Sequence, residues 1–325
     1  MSLPPDLAEL IALAEAEPAP VDFPAAAPAP GESAERWAAG VARLRARHDA
    51  YALERTRLSG ANAAPEQPVA TAYADVPVNG TVLGARVYTP AGPGPHPAIL
   101  LLHGGGWWMG GGATGFELND PMCRDLALGA GAVVVNLDYR LAPDFKFPTQ
   151  HEDAYGALVW IVDHAGELGV DPARVAILGI SSAGGVAAAA CRVARERGGP
   201  TIAAQILQSP SLDMTASLRA VPPSDDERRL MTALRALYAS EVTDWAVPYL
   251  SPALADDLAG LPPAVIVTGE FDALRWDGET YARRLAAAGV AVTHLHYPMT
   301  HVLATGPVRE QMRAERLAAI VARLR

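Results

Sequence analysis

The chain has 325 residues, of which 50% are hydrophobic and 19% are charged, so it is long enough for one large α/β domain with an appendage or for two ordinary domains. Its formal net charge of −10 argues against a nucleic-acid-binding surface and against electrostatic binding to anionic membranes. The first residues lack the basic region and the apolar core of a secretory signal, and no stretch is long and apolar enough to cross a bilayer. We therefore expect a soluble, cytoplasmic protein.

Two amphipathic patterns precede the first predicted strand. Apolar residues at helical spacing predict a helix over Leu7–Ala16, and a second helix follows Ser33, which is a suitable N-cap. The proline- and alanine-rich tract Pro18–Pro30 between them is expected to be extended. We assign residues 1–65 to an N-terminal helical cap. A second cap segment is expected at 213–250, where the alternation of strands and helices stops.

Residues 66–212 and 251–325 form the two parts of the predicted core. Strand-like and helix-like segments alternate there, which is typical of an α/β fold with a mostly parallel central sheet and helices on both faces. Asn79-Gly80 is a strong turn signal between the first two strands. The predicted strands are Val69–Val78, Leu83–Tyr88, Ala98–Leu102, Ala132–Asp138, Val175–Leu178, Ala203–Gln208, Ala264–Thr268 and Val290–Tyr297. The predicted core helices are Leu118–Leu128, His151–Ala165, Val186–Ala194, Thr280–Ala288 and Val308–Leu324.

A strand, a tight turn and a helix are predicted in succession over Arg174–Gly185, and two serines lie at the turn. A serine held out at the end of a buried strand, beside the amides of a helix N-terminus, suits a nucleophile whose substrate develops an oxyanion. Ser181 has Gly179 two residues before it, whereas Ser182 has the β-branched Ile180 at that crowded position. We favour Ser181 as the nucleophile and keep Ser182 as the alternative.

The third predicted strand leads directly into His-Gly-Gly-Gly-Trp-Trp at residues 103–108. Glycines leave their main-chain N–H groups open to the close approach of a carbonyl oxygen. Gly104 and Gly105 are therefore the predicted oxyanion-hole donors, with the N–H of Ser182 as the third. Trp107 and Trp108 flank this loop and are expected to pack against the core or cap, with at least one of them lining the substrate pocket.

A nucleophilic serine needs a base and a group that orients the base, both on loops that follow later strands. Asp272 follows the strand Ala264–Thr268, and His301 follows the last predicted strand. The chain order Ser, Asp, His is that of α/β-hydrolases. Glu270 is an alternative orienting carboxylate. His294 and His296 share a strand, but without an acidic or thiol companion they are a weak metal signal and are taken as structural or surface residues. We expect no metal or organic cofactor. Cys123 and Cys191 are expected to be buried free thiols.

With these motifs in order, the chain from about Leu83 onward resembles the hormone-sensitive-lipase-like carboxylesterases, the bacterial family IV type, of the α/β-hydrolase superfamily. The resemblance implies the α/β-hydrolase fold with a helical cap, a structural role for His103, and a triad completed by Asp272 and His301. It also implies a homodimer. Val302 and Leu303 depart from the family, which usually has glycine and an aromatic residue after the histidine. The motifs that carry the resemblance are His103–Gly106, Asp138–Pro143, Gly179–Gly185, Ser209–Asp213, Asp272–Arg275 with Gly278-Glu279, and Tyr297–His301.

The expected function is that of a serine carboxylesterase that hydrolyses small-molecule esters, short-chain or aromatic, through an acyl-enzyme. One alternative is a small-molecule-binding receptor on the same fold, because chains that resemble this group serve as receptors after losing a triad member. A second alternative is a biosynthetic acyltransferase, amidase or lactonase that uses the same triad, since the fold and triad do not distinguish these reactions.

Overall fold

The computed structural model describes residues 3–15, 19–58 and 67–325, which build a single eight-stranded sheet with helices on both faces. The strands are β1 (Ala70–Val78), β2 (Thr81–Thr89), β3 (His96–Leu102), β4 (Val133–Leu137), β5 (Val170–Ile180), β6 (Ala204–Gln208), β7 (Ala264–Phe271) and β8 (Val292–Thr300). The helices are α1 (Pro5–Glu15), α2 (Ala34–Leu58), α3 (Gly112–Ala130), α4 (Thr149–Asp163), α5 (Ala165–Leu168), α6 (Ser182–Arg197), α7 (Asp225–Ala239), α8 (Arg275–Ala287) and α9 (Gly306–Leu324).

The strand order in the sheet is β1-β2-β4-β3-β5-β6-β7-β8. β2 runs antiparallel to both β1 and β4, and all other neighbours are parallel. The predicted α/β class with a mostly parallel sheet is thereby confirmed. Because parallel neighbours need crossover connections, helices cover both faces. The strands β3 to β8 therefore carry their following loops to one common edge, where the candidate site lies.

The β1–β2 hairpin turns at the predicted Asn79-Gly80. Both residues have positive φ, 48° and 79°, which is the geometry that a two-residue hairpin turn requires. Farther into the sheet, the apolar run Ala98–Leu102 is fully buried, with 0% exposure at each residue. Such a run has no polar alternation because both faces of the strand are covered, as the sequence predicted.

The helices before the sheet agree with their predicted positions where the structure describes them. α1 ends at Glu15, and the predicted last residue, Ala16, lies outside the described residues, as do residues 59–65 at the end of the predicted cap segment. Ser33 caps α2, because its Oγ accepts the N–H of Arg36 at 3.2 Å. Residues 19–33 form neither helix nor strand. The assignment of 1–65 to a cap stays a prediction.

Within 213–250, α7 is the main regular element. Ser224 and Glu227 form a capping box at its start: the Ser224 Oγ accepts the Glu227 N–H at 3.2 Å, and the Glu227 carboxylate accepts the Ser224 N–H at 2.7 Å. Leu237 and Tyr238 near its end are 1% exposed and belong to the main core cluster. The helix is thus seated on the core by its last turn. That 213–250 acts as a second cap segment remains a prediction.

Cys123 and Cys191 are buried free thiols, as expected. Across residues 3–15, 19–58 and 67–325, the helices are too short or too polar for any of them to span a membrane.

Candidate active site

Ser181 lies in a strained turn between β5 and α6. Its φ of 56° and ψ of −119° are unfavourable for an L-residue, so the surrounding structure must hold it. The N–H of Ser181 donates to the Gln208 carbonyl at 2.9 Å, and its own carbonyl accepts the Ser211 N–H at 3.0 Å. A Cβ at Gly179 would lie 2.2 Å from the carbonyl oxygen of Ala183. Glycine is therefore required two residues before Ser181, as the motif indicated.

Ser181, His301 and Asp272 form a continuous chain of hydrogen bonds. Ser181 Oγ lies 2.8 Å from His301 Nε2, and His301 Nδ1 lies 3.0 Å from Asp272 Oδ2. The second carboxylate oxygen of Asp272 accepts the Leu274 N–H at 2.9 Å. The Asp272 side chain is 1% exposed, whereas that of His301 is 35% exposed. The three side chains follow β5, β7 and β8, so the common edge of the parallel strands brings them together.

The charges of Asp272 and protonated His301 stabilise each other. Burial lowers the pKa of His301, but the attraction of the Asp272 carboxylate and the hydrogen bond to it outweigh burial and leave the pKa raised. Burial raises the pKa of Asp272, but His301, the Leu274 N–H and the Ser209 hydroxyl outweigh it and leave the pKa lowered. Asp272 is therefore ionised and can only accept, so Nδ1 of neutral His301 carries the proton. Nε2 is then free to accept a proton from the Ser181 hydroxyl.

Ser182 occupies a different environment from Ser181. It is the first residue of α6 and is 2% exposed, and its Oγ accepts the N–H of Trp107 at 3.3 Å. Its own N–H is at the helix N-terminus and has no acceptor within the described residues. Of the two candidate serines, it is Ser181 whose hydroxyl reaches His301. The Ser182 hydroxyl instead joins the serine turn to Trp107, the residue that follows Gly104–Gly106, which we call the glycine loop.

The glycine loop approaches the serine turn closely. A Cβ at Gly104 would lie 3.4 Å from the Cβ of Ser181, and one at Gly105 would lie 2.2 Å from the carbonyl oxygen of Met109. Gly105 also has a φ of +122°, which favours glycine. The N–H groups of Gly104, Gly105 and Gly106 have no acceptor within the described part of the chain. The loop thus offers unpaired donors beside Ser181, and Gly106 adds one that the sequence analysis did not single out.

Both tryptophans that follow the glycine loop are buried by aromatic packing. Trp107 is 5% exposed and stacks on Tyr238 of α7, with ring centroids 4.5 Å apart. Trp108 is 1% exposed and contacts His48 of α2 edge-on at 4.7 Å, with Phe23 at 5.6 Å. The expected packing against the core or cap is therefore observed. That one of the two rings lines a substrate pocket stays a prediction.

His103 supports the loop from inside. It is 3% exposed and stacks on Tyr139, with ring centroids 4.3 Å apart. Its Nδ1–H donates to the Gly104 carbonyl at 2.7 Å, and the Tyr139 hydroxyl donates to the His103 carbonyl at 2.7 Å. Burial lowers the pKa of His103, so the ring is neutral. These contacts support the structural role that the resemblance implied.

Glu270 and the two histidines of β8 lie outside this hydrogen-bonded chain. The Glu270 carboxylate contacts His296 Nε2 at 2.7 Å and Arg275 at 2.7 Å. The hydroxyl of Thr268 lies 2.8 Å from His294 and 2.9 Å from His296. Within the described residues, no three His, Cys, Asp or Glu side chains are grouped so that they could hold a metal ion.

Three polar residues near the site escaped the sequence analysis. Asp277 is 0% exposed, and its Oδ2 accepts the N–H groups of Leu212 and Asp213 at 2.8 and 2.9 Å. It therefore fixes the segment after β6. The available signal was its position between the two parts of a quoted family motif, Asp272–Arg275 and Gly278-Glu279. Arg45 and Asp49 of α2 bind the main chain after the glycine loop, and only their positions on an amphipathic helix could have drawn attention to them.

Residues 99–305 match the model of a protein family described as having the alpha/beta hydrolase fold. Esterase LipI of Mycobacterium tuberculosis is 37% identical over 240 residues, which are 70% of this chain and 74% of LipI. Carboxylesterase NlhH of the same species is 39% identical over 214 residues, which are 63% of this chain and 66% of NlhH, just under two thirds. A solved structure of a bacterial heroin esterase has a TM-score of 0.78 at 33% identity, covering 100% of this chain and 98% of that one.

The fold, the strained serine turn and these similarities define a class of protein. The chain belongs to the hormone-sensitive-lipase-like family of α/β-hydrolases, and it is an enzyme of that class.

Proposed function

We propose that the chain is a serine carboxylesterase that hydrolyses small carboxylic esters, short-chain or aromatic, through an acyl-enzyme. The observation that carries this proposal is the hydrogen-bonded chain from Ser181 Oγ through His301 to Asp272, with bonds of 2.8 and 3.0 Å. A hydroxyl, a base and an orienting carboxylate at these distances are the arrangement that nucleophilic acyl transfer needs. The names of the relatives, an esterase and a carboxylesterase, support the same reaction class.

In the acylation step, Ser181 Oγ attacks the ester carbonyl carbon while His301 Nε2 takes the hydroxyl proton. The resulting imidazolium is stabilised by Asp272, which is buried and ionised. When the tetrahedral intermediate collapses, the carbon–oxygen bond to the alcohol breaks, and the imidazolium protonates the departing alkoxide. The acyl group then remains on Ser181 as an ester.

The negative charge that develops on the carbonyl oxygen is received by main-chain amides. We assign this role to the N–H groups of Gly104, Gly105 and Ser182, which have no acceptor within the described residues. Removing one such donor typically costs about 3 to 4 kcal/mol of transition-state stabilisation. The Ser182 Oγ bond to the Trp107 N–H holds the two sources of donors together.

Deacylation repeats these steps with water as the nucleophile. His301 Nε2 takes a proton from the water as the water oxygen attacks the acyl carbon. The same amides stabilise the second oxyanion, and the imidazolium returns the proton to Ser181 as the acid departs. Apart from the ester and water, the groups used in these steps are side chains and main-chain amides of this chain.

The receptor alternative depends on the loss of a triad member, and here Ser181, Asp272 and His301 are all present and hydrogen-bonded. Turnover is therefore the proposed outcome. Acyl transfer, amide cleavage and lactone hydrolysis share the same acyl-enzyme chemistry, and they differ in the acceptor and in the leaving group. Steady-state and burst kinetics with added alcohols or amines separate them from ester hydrolysis.

The test is hydrolysis of p-nitrophenyl acetate and p-nitrophenyl butyrate by the native chain and two single variants. Ser181→Ala should abolish turnover. Ser182→Ala keeps the main-chain amide and loses one 3.3 Å bond, so we expect it to lose at most about tenfold in kcat. A fluorophosphonate probe, located by peptide mass spectrometry, should label Ser181. Absence of turnover and labelling in the folded native chain would overturn the proposal and favour a receptor.

A further inference from the structure

Helix α2, which precedes the sheet in the chain, hydrogen-bonds to the main chain that follows the glycine loop. Arg45 and Asp49 lie one helical turn apart and therefore face the same side of α2. Arg45 Nε donates to the Trp108 carbonyl at 2.7 Å, and Asp49 Oδ1 accepts the Gly110 N–H at 2.8 Å. Arg45 thus supplies a donor to the carbonyl of Trp108, and Asp49 supplies an acceptor to the N–H of Gly110, two residues further on. We call this pair of contacts, Arg45 to Trp108 and Asp49 to Gly110, the α2 clamp.

Burial makes the α2 clamp costly to break. Asp49 is 7% exposed, and the Gly110 N–H that it accepts is also buried. Burial raises the pKa of Asp49, against the lowering effects of the Gly110 N–H, Arg45 and His48. Arg45 is further held by the Ala142 carbonyl at 2.9 Å. Without the Asp49 carboxylate, the Gly110 N–H would be buried and unpaired, which costs free energy. The loop would lower that cost by shifting so that the N–H finds another acceptor.

The clamped residues are in direct contact with the proposed oxyanion donors. The N–H groups of Trp108 and Met109 donate to the Gly105 carbonyl at 3.2 and 3.1 Å. Gly110 packs so closely on the preceding turn that a Cβ there would lie 2.7 Å from the Gly104 carbonyl oxygen. A shift of Trp108 or Gly110 must therefore move the peptide groups of Gly104 and Gly105.

The far end of the same segment is held by the core. Asp138, just after β4, accepts the Gly112 N–H at 2.8 Å through Oδ1. The segment between the glycine loop and α3 is thus fixed by a core carboxylate at one end and by the α2 clamp at the other. Next to Gly105, the Trp107 N–H is held by Ser182 Oγ, but among the described residues the main chain of Trp108 and Gly110 has side-chain hydrogen bonds only from the α2 clamp.

We propose that Arg45 and Asp49 are positioning residues for the oxyanion hole, so that helix α2 contributes to the rate of acyl transfer. This inference rests on the proposed function. A misplacement of about 1 Å in a reacting geometry can cost on the order of 100-fold in rate. The α2 clamp therefore affects kcat, which depends on stabilising the oxyanion, more than it affects KM.

The experiment compares kcat and KM for p-nitrophenyl acetate in Asp49→Ala, Asp49→Asn, Arg45→Met and the double variant Arg45→Met/Asp49→Ala. We expect Asp49→Ala to lower kcat by about 10- to 100-fold with KM changed less than about threefold. Asp49→Asn keeps an acceptor oxygen and should recover most of the loss. Because both side chains hold one segment, the double variant should lose much less than the product of the single losses.

Arg47→Ala is the matched control, because Arg47 lies on the same helix, is 60% exposed and pairs with Asp22 at the surface. It should keep the native kcat. If Asp49→Ala does not fold, Arg45→Met carries the test, since it keeps the buried stem of the side chain and removes the donors. Folded variants with native kcat, or a loss in Arg47→Ala equal to that in Asp49→Ala, would overturn the α2 clamp. No turnover in the native chain would instead overturn the proposed function.

Discussion

The substitution Asp272→Asn keeps the shape of the side chain and changes the direction of one hydrogen bond. Asp272 Oδ1 accepts the Leu274 N–H at 2.9 Å, and Oδ2 accepts His301 Nδ1–H at 3.0 Å. An asparagine that keeps the bond to Leu274 must place its NH2 group opposite Nδ1. Because that group can only donate, Nδ1 must give up its proton, and Nε2 of the neutral ring then carries it.

The size of the effect follows from this change of tautomer. With its proton on Nε2, His301 cannot accept the proton of Ser181. In serine hydrolases with this triad, the wrong tautomer lowers kcat by about 10⁴-fold, or about 5 kcal/mol at 1.36 kcal/mol per factor of ten. The substitution also removes the charge that raises the pKa of His301, so the acid limb of the remaining activity should move to lower pH.

The assay is the pH dependence of kcat for p-nitrophenyl acetate, with folding checked by circular dichroism and melting temperature. Glu270→Gln is the control, because Glu270 lies two residues earlier and contacts His296 and Arg275. Ion pairs near the surface contribute about 0 to 1 kcal/mol, so the control should stay within about fivefold of native kcat. If Asp272→Asn kept kcat within about tenfold of native, or the control lost as much, the tautomer argument would be refuted.

Three further outcomes are expected. Since the pKa of His301 is raised above its ordinary value of 6.5 and only the neutral ring accepts a proton, kcat/KM should fall with decreasing pH through a midpoint above 6.5; a lower midpoint would contradict this. Gly179→Ala places a Cβ 2.2 Å from a carbonyl oxygen of α6 and should lower the free energy of unfolding in urea by about 1 to 3 kcal/mol or more. The control is Gly40→Ala, whose Cβ would have its nearest neighbour 3.8 Å away and which should not destabilise the chain. Burial raises the pKa of Asp277 from 3.8 to about 7, so its ionisation destabilises the fold as pH rises between these values. The free energy of unfolding of Asp277→Asn, measured in urea relative to the native chain, should therefore increase over that range by up to about 4 kcal/mol. A difference that does not depend on pH would contradict this.

Residues at the ends of parallel strands were predictable because the fold itself brings them together. Once alternating strands and helices indicated a parallel sheet, Ser181, Asp272 and His301 had to lie at one edge, and their chain order did the rest. The choice between Ser181 and Ser182 depended on side-chain volume at Gly179 and Ile180, which is also readable in a sequence. Roles for these residues remain proposals, but their proximity was foreseen.

Element boundaries were less predictable, and the reason is local. α3 begins at Gly112, six residues before its predicted start, because the glycine- and threonine-containing first turn has a weak helical pattern. It also continues through Pro121, which interrupts the pattern that a sequence reader follows. Contacts elsewhere in the fold decide such residues, since intrinsic propensity differs by less than about 1 kcal/mol per ordinary residue.

The α2 clamp shows what a sequence pattern cannot carry. The sequence predicted α2 as an amphipathic helix, and its apolar residue Val41 is 1% exposed. Arg45 and Asp49 bind a carbonyl and an N–H, and almost every residue has both groups, so no partner side chain marks the contact in the sequence. A triad recruits distinctive side chains and can be recognised from them. An oxyanion hole consists of main chain, and the residues that position it are therefore visible only when the backbone is placed.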